Sequence, residues 1–211
     1  GEINTYHSFS QTYGYFEMRA QLPAGDGFWP AFWLLPENGS SPPELDAMEV
    51  LGNNTKVLYT AVHSMSTGTP TSAGLAIPVP DMSTGFHTYG VDWEPDFVTW
   101  YFDGKQVYQQ PTPPDMNTPM YMLANLAVGG LWVGPVDSTT PFPSGMEIDY
   151  IRAYESGAAA GTPPTTPVSP PPATGSLTAN DTAGQHLTGT SGADVFHAGH
   201  NSVVMTGNGG A

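Results

Sequence analysis

Three carboxylates occupy a short apolar stretch of the sequence, at Glu44, Asp46 and Glu49. The residues between them and directly after them are all apolar, which predicts a β-strand with one buried face rather than a solvated acidic surface. Because side chains alternate along a strand, Glu44 and Asp46 share a face, whereas Glu49 would point away from them on a regular strand. A β-bulge between Asp46 and Glu49 returns Glu49 to that face, so we expect three carboxylates in a row on one side of a sheet.

A row of three carboxylates on one face of a sheet could perform acid and base chemistry. Neighbouring carboxylates cannot all ionise freely, so their pKa values are pushed apart. Hydrolysis of a glycosidic bond with retention needs one ionised carboxylate that attacks and one protonated acid that donates, about 5–5.5 Å apart. Glu44 and Glu49 are the long side chains of the row, and Asp46 between them is placed to hydrogen-bond a Glu and help set its protonation state. On these residues alone, an acidic edge strand and a metal site stay open as alternatives.

The composition narrows the possible partners of this site. The chain has 211 residues, with 4 Lys and Arg against 19 Asp and Glu and a net charge of −15. This balance argues against nucleic acid and anionic membrane surfaces, and it suits a neutral substrate. The sequence has no cysteine for a disulfide, and no apolar run reaches the ~18 residues of a membrane span. These features suit a soluble secreted protein, which we expect to be a monomer.

Closely spaced strand and turn signals surround the acid stretch. Residues 28–35 predict a strand that carries Trp29 and Trp33 on one face, and residues 57–63 predict the strand that follows the acids. The small and polar residues 64–84 predict long loops that border a cleft. No long stretch has the period of an amphipathic helix. We therefore predict an all-β fold, a concave–convex antiparallel β-sandwich of the jelly-roll type.

Two kinds of side chain near the acids are ambiguous. Trp29 and Trp33 fit core packing about as well as a sugar-binding surface, where a flat indole covers the apolar face of a sugar ring. His63 lies near the end of its predicted strand, and a lone histidine is more often structural than catalytic. The residues alone leave both questions open.

The segment ELDAME follows GFWPAFWLLP and precedes FHTYGVDWEPDFVTWYFDG. In this order the motifs resemble glycoside hydrolase family 16, and the acids match the E-x-D-x-x-E pattern of its laminarinase-like branch rather than the shorter E-x-D-x-E of its lichenase branch. The resemblance implies Glu44 as nucleophile, Asp46 as the assisting acid and Glu49 as acid/base. It covers about residues 1–156, and the N-terminal strands with which such a domain normally begins are expected to be missing.

The resemblance also implies residues that contact a sugar chain. At least one of Trp29 and Trp33 would be a stacking platform, and Trp132 would be another. His63 would contact the substrate or the acid/base, and Asn125 would hydrogen-bond the substrate. These five positions come from four separate segments, so they can flank the acids only if the sandwich brings those segments together.

Calcium is the cofactor that the resemblance implies, in a structural and not a catalytic role. Asp149 matches a family position that often binds structural Ca²⁺ together with backbone carbonyls. Residues 157–175 form a Pro/Thr-rich linker. Residues 176–211 resemble the truncated start of an RTX calcium-binding repeat array, in which Asp194 would be a ligand. Because RTX arrays usually mark type I export, we expect an extracellular location.

A family 16 domain joined to RTX repeats resembles the rhizobial endo-glycanases of succinoglycan-type exopolysaccharide. The implied function is a retaining endo-β-glucanase that cuts β-1,3 or mixed β-1,3-1,4 linkages in glucan or bacterial exopolysaccharide, with the polysaccharide as partner. Three alternatives stay open: a non-catalytic carbohydrate-binding module, a transglycosylase and a calcium-dependent adhesion fragment. Crowded carboxylates argue against the first, since a lectin gains nothing from them. The sequence does not separate the second, because hydrolysis and transfer share one covalent intermediate.

Overall fold

The computed structural model of this chain describes residues 1–155 and, beyond them, the backbone of four short strands. Within residues 1–155 the strands are β1 (Glu2–Asn4), β2 (Gly14–Gln21), β3 (Phe28–Pro36), β4 (Glu44–Glu49), β5 (Val57–Ser64), β6 (Thr71–Pro78), β7 (His87–Trp93), β8 (Phe97–Phe102), β9 (Lys105–Pro111), β10 (Met120–Val128) and β11 (Glu147–Tyr154). The later strands are β12 (Gly175–Thr178), β13 (Gln185–Thr188), β14 (Asp194–His197) and β15 (Val203–Thr206). A 3-10 turn at Gly52–Asn54 follows β4. Nowhere in the described part of the chain is there a helix long and apolar enough to cross a membrane.

The strands form two main sheets that pack face to face. An eight-stranded sheet has the order β13-β15-β1-β10-β3-β4-β5-β6, and a five-stranded sheet has the order β11-β2-β7-β8-β9. Neighbouring strands from β1 to β11 pair in antiparallel fashion, which confirms the predicted concave–convex antiparallel β-sandwich of the jelly-roll type. The later strands pair in parallel: β12 with β14, β13 with β15, and β15 with β1.

The core lies between the sheets and takes alternate side chains from the central strands. Phe32 and Leu34 of β3 and Leu45 of β4 are fully buried there, opposite Trp93 and Trp100 of the five-stranded sheet. Burial of each such side chain contributes about 1.5–3 kcal/mol. A slip of one residue would turn these side chains to solvent, so burial fixes the register. The same alternation sends the intervening residues of β3 and β4 to the outer face of the eight-stranded sheet.

The prediction of loops over residues 64–84 is wrong in part. Thr71–Pro78 forms β6, which pairs with β5 along its whole length and is the edge of the sheet. Its side chains are small and have little strand preference, but β5 offers a row of backbone groups that require partners, and this requirement decides the structure. A Cβ added at Gly74 would lie 2.0 Å from the carbonyl oxygen of Thr60, so this close pairing requires glycine.

The predicted domain boundaries fall at the limit of the described residues. Strand β11 ends at Tyr154, just before the predicted boundary at residue 156. The linker at 157–175 lies outside the described residues and stays a prediction. So does the metal role of Asp194, because only the backbone of β14 is described.

Candidate active site

A β-bulge in β4 lies at the centre of the outer face. On one side Phe32 of β3 pairs with Met48 while Trp33 pairs with Asp46, so one residue of β4 is left over. On the other side the register with β5 shifts between Asp46 and Glu49. The predicted bulge is therefore confirmed. Bulges of this kind re-aim side chains and are frequent beside active sites.

A tryptophan of the opposite sheet fixes the bulge from inside the core. The indole Nε1–H of Trp100 on β8 donates a hydrogen bond to the backbone carbonyl oxygen of Asp46, at 2.8 Å. Trp100 is fully buried, so this bond satisfies two polar groups that water cannot reach. Sequence reasoning missed this contact, because nothing in the sequence shows which strand of the other sheet lies beneath the bulge.

Asp46, which is buried, and His63, which is half-buried, form a hydrogen-bonded pair beside Glu44. Asp46 is 2% exposed, and its Oδ2 lies 3.0 Å from Nε2 of His63, which lies 3.8 Å from Oε1 of Glu44. Burial raises the pKa of Asp46, and the bond to His63 opposes that rise. The same bond raises the pKa of His63. The contact with His63 therefore favours the ionised form of Asp46 against the effect of its burial.

Glu49 has the environment of a proton donor. Its Oε1 accepts a hydrogen bond of 3.0 Å from the indole Nε1–H of Trp29. Burial, followed by the negative charge of Asp46, raises the pKa of Glu49 to about 7. A carboxylic acid with a pKa near neutrality can donate a proton in one step and accept it in the next.

The pKa of Glu44 is also raised, but two contacts oppose this rise. Burial and then the charge of Asp46 raise the pKa of Glu44, whereas His63 and the hydroxyl of Ser41 lower it. Oγ of Ser41 donates to Oε2 of Glu44 at 3.2 Å. Two carboxylates whose surroundings differ in this way take different roles, one as acid and one as anion.

Aromatic rings flank the Glu49 end of the row. Trp132, which is 43% exposed, follows β10 and makes edge contacts with Trp29 at 5.1 Å and Tyr59 at 4.9 Å between ring centroids. Tyr59 lies opposite Glu49 in the register of β4 and β5. Sequence reasoning missed Tyr59, although its spacing of four residues from His63 puts both on the same face of a strand.

Asn125 and Trp33 complete the site on the β10 side. The indole Nε1–H of Trp33 donates to Oδ1 of Asn125 at 2.7 Å, which orients the amide so that its N–H groups point the other way. The structure therefore brings all the predicted catalytic and sugar-contact residues to one face: Glu44, Asp46, Glu49, Trp29, Trp33, His63, Asn125 and Trp132.

Asp149 lies on the other sheet, and its predicted role in binding calcium stays a prediction. It occupies a bulge of β11, where Nη1 of Arg19 donates to its Oδ2 at 2.5 Å. Ca²⁺ takes about six to eight oxygen ligands, and Asp149 would supply one carboxylate whose Oδ2 is also paired with the guanidinium of Arg19. Within the described residues, the group of acids and histidines able to share a cation is Glu44, Asp46 and His63, whose ligand atoms lie within 4.8 Å of one another.

An antiparallel sandwich with acids in a row across its concave sheet, one of them with a pKa near neutrality, defines a protein of the glycoside hydrolase class. Residues 1–152 match the family described as Glycosyl hydrolases family 16. The chain belongs to this family.

Relatives and solved structures agree with the family. The chain is 53% identical over 154 residues to endo-1,3-1,4-beta-glycanase ExsH of Rhizobium meliloti, and 49% identical over 154 residues to endo-1,3-1,4-beta-glycanase EglC of the same organism. Each match covers 73% of this chain but only 33% of the relative's length. The laminarinase catalytic domain from Thermotoga maritima has a similar structure, with a TM-score of 0.64 and 37% identity, covering 72% of this chain and 67% of that one.

Asp46→Asn should lower the rate by about 10²-fold, through misplacement of the neighbouring groups, and thus by less than loss of either glutamate. The change removes the charge that helps to raise the pKa of Glu49, so the alkaline limb of the pH–rate profile should move to lower pH. Reducing ends released from mixed-linked β-glucan across a pH series measure both effects. An alkaline limb that stays in place would contradict this role of Asp46.

Proposed function

We propose that this protein is a retaining endo-β-glucanase that hydrolyses β-1,3 or mixed β-1,3-1,4 linkages. The observation that carries the proposal is the difference between two carboxylates of one row. Burial raises the pKa of Glu49 to about 7, whereas the rise in the pKa of Glu44 is opposed by His63 and Ser41. Membership of family 16 and the names of the two Rhizobium relatives support it.

The reaction proceeds in two displacements. First the carboxylate of Glu44 attacks the anomeric carbon, while protonated Glu49 donates its proton to the departing glycosidic oxygen. The bond between the anomeric carbon and that oxygen breaks, and a glycosyl ester forms on Glu44. Then ionised Glu49 takes a proton from water, whose oxygen attacks the same carbon and releases Glu44 as a carboxylate. Asp46, hydrogen-bonded to His63, lies between the two glutamates in the row and assists them.

The alternatives differ in how well the site supports them. A non-catalytic carbohydrate-binding module is not favoured, because it has no need for Glu49 at a pKa of about 7. Transglycosylation uses the same ester on Glu44 and differs only in whether a sugar or water resolves it. Product analysis at high acceptor concentration separates these two outcomes.

An endo mode of action follows from the open edge of the sheet. Thr71–Pro78 is the edge strand β6 and extends the floor of the sheet beside β5. A glucan chain can therefore cross the row with both ends free. We expect the viscosity of mixed-linked β-glucan, laminarin or succinoglycan to fall early, while few reducing ends have formed.

The viscosity experiment has a matched control in the Glu44→Gln variant, which should leave both readouts unchanged. Viscometry and a reducing-end assay are followed on the same samples. If monosaccharide accumulates first and viscosity lags behind, the protein acts from chain ends and the open-cleft proposal fails.

We further propose that residues 176–211 begin a calcium-binding array of the RTX type and that the protein is exported. The support is that β13, β14 and β15 begin nine residues apart, at residues 185, 194 and 203, and that alternate strands pair in parallel. Calcium would then be structural and bound near Asp194, away from the acids. Secretion by type I export and a monomeric state stay predictions.

Residues 176–211 alone should gain little β-structure in millimolar calcium. One aspartate, Asp194, stands in the repeat position, and stacking needs at least about three repeats. Circular dichroism of the isolated segment with and without calcium measures this. A large calcium-dependent gain of β-structure would mean that one repeat suffices.

A further inference from the structure

A loop after β1 is fixed against β10 on both sides of Tyr121. At one end the backbone N–H of Thr5 donates to the carbonyl of Met122, and the Met122 N–H donates to Oγ1 of Thr5, both at 3.0 Å. At the other end Gln11 and Met120 exchange two backbone hydrogen bonds of 3.0 Å. The loop is therefore anchored next to Tyr121 rather than attached at one point.

This loop holds Tyr6 against Tyr121. The ring centroids are 4.8 Å apart with the planes tilted by 48°, and Tyr6 is 41% exposed. His7 stacks on Tyr6 at 3.7 Å, and the backbone N–H of His7 donates to Oε1 of Glu37 at 3.2 Å. Asn4 accepts a hydrogen bond of 3.1 Å from the backbone N–H of Tyr6. The exposed ring thus has a defined position.

Core packing does not explain this pair of rings. Met120 and Met122, on either side of Tyr121, are both buried in the core, so alternation directs Tyr121 to the outer face, which also carries the acids. Tyr6 gains little burial from its contact. Two aromatic rings are instead presented on the outer face of the concave sheet, at β10 and the loop that follows β1.

The register connects these rings with the acids across the strands. Tyr121 lies opposite Leu35 of β3, and Leu34 lies opposite Leu45 of β4, which puts Leu35 beside Glu44. Strands are spaced about 4.8 Å apart, so β10 and β1 lie about 10 and 14 Å from the acid strand. A sugar chain that crosses the row perpendicular to the strands therefore reaches Tyr121 and Tyr6 after roughly two to three rings.

We propose that Tyr6 and Tyr121 form a distal platform that binds an uncharged hexose ring of the glucan chain and makes long chains better substrates. The proposal rests on the proposed function and names a subsite of that same cleft. Flat tyrosine rings cover the apolar face of a sugar at low entropic cost. Glu2 accepts from the amide of Asn4 at 3.0 Å, so an acid borders the platform and disfavours an anionic sugar there.

Chain-length dependence of kcat/KM tests the platform. Oligosaccharides from tri- to heptasaccharide, with β-1,3 or mixed linkages, are compared for the wild type, Tyr6→Ala and Tyr6→Ala/Tyr121→Ala. The loss should grow with chain length, reach about three- to tenfold on the longest chain, and fall mainly on KM. Tyr154→Ala is the matched control, since this tyrosine is 40% exposed on β11 of the other sheet.

Two further measurements keep the result decisive. Tyr6→Phe and Tyr121→Phe should retain the wild-type chain-length dependence, because they keep the rings. In a Glu44→Gln background, calorimetry should show weaker binding of the heptasaccharide when Tyr6 is replaced by Ala. Because Tyr6 lies in an exposed loop, its variant answers the question even if Tyr121→Ala does not fold.

The outcomes separate the platform from the proposed function. If the wild type cuts these oligosaccharides but Tyr6→Ala keeps the same chain-length dependence and the same binding, the platform is refuted. If the wild type cuts none of the glucans or oligosaccharides, the endo-β-glucanase proposal fails instead.

Discussion

Glu44→Gln should abolish hydrolysis, with kcat/KM lower by about 10⁴-fold or more. Glutamine has nearly the shape of glutamate and keeps a group near Ser41 and His63, but it cannot attack the anomeric carbon to form the ester. The loss should therefore appear without a change in fold. Reducing ends from mixed-linked β-glucan measure the rate, and circular dichroism checks the fold.

Azide identifies the role of Glu44 by stereochemistry. In Glu44→Ala, azide can enter the space that the carboxylate leaves and attack from that side, so the product should be the α-glycosyl azide. In Glu49→Ala, azide should attack the glycosyl ester on Glu44 from the opposite side and give the β-azide. The reverse pattern would show that the two roles are exchanged.

Glu49→Gln should lower the rate by about 10³–10⁴-fold, in the upper part of the usual contribution of a general acid and base. The wild-type rate should decline as pH rises above about 7, because Glu49 must be protonated to donate and its pKa is about 7. That alkaline limb should be absent from the residual activity of the variant. An unchanged limb would assign it to another group.

The pH dependence of protein stability gives a second, independent measure of the raised pKa of Glu49. Burial raises its pKa from 4.5 to about 7, so the folded state binds this proton more tightly than the unfolded state. Stability must then decrease as pH rises from 4.5 to about 7. Glu49→Gln should raise Tm above pH 7 by a few degrees, since each kcal/mol shifts Tm by about 2–4 °C at this size. Exposed Glu147→Gln is the control, and an equal shift there would contradict the interpretation.

The row of acids could be predicted because the residues that determine it lie within one short stretch of the sequence. Alternation along one strand, one extra residue and a family pattern together indicate the bulge and the shared face of Glu44, Asp46 and Glu49, and the register confirms them. The aromatic residues near the row were accessible for a similar reason, since Trp29 and Trp33 lie on one strand next to the acids.

The features that the sequence did not predict depend on contacts between segments that are distant in the sequence. Trp100 reaches Asp46 from the other sheet, and Tyr6 meets Tyr121 through a loop that closes on β10. Strand β6 was misjudged because its small side chains carry little preference and the free edge of β5 decides its conformation. At Asp149 the sequence shows an acid but not the guanidinium of Arg19 that pairs with it.

The hydrogen bond from Trp100 also limits how this enzyme can be engineered. Trp93 and Trp100 are both fully buried, yet Nε1 of Trp93 has no hydrogen-bond partner among the described residues, whereas Nε1 of Trp100 supports the strand that carries the three acids. A library that randomises the interior for heat tolerance can therefore treat the two tryptophans differently, and should keep Trp100. A transplant of the ELDAME strand into another sandwich would likewise carry the acids but leave behind the donor that shapes their backbone.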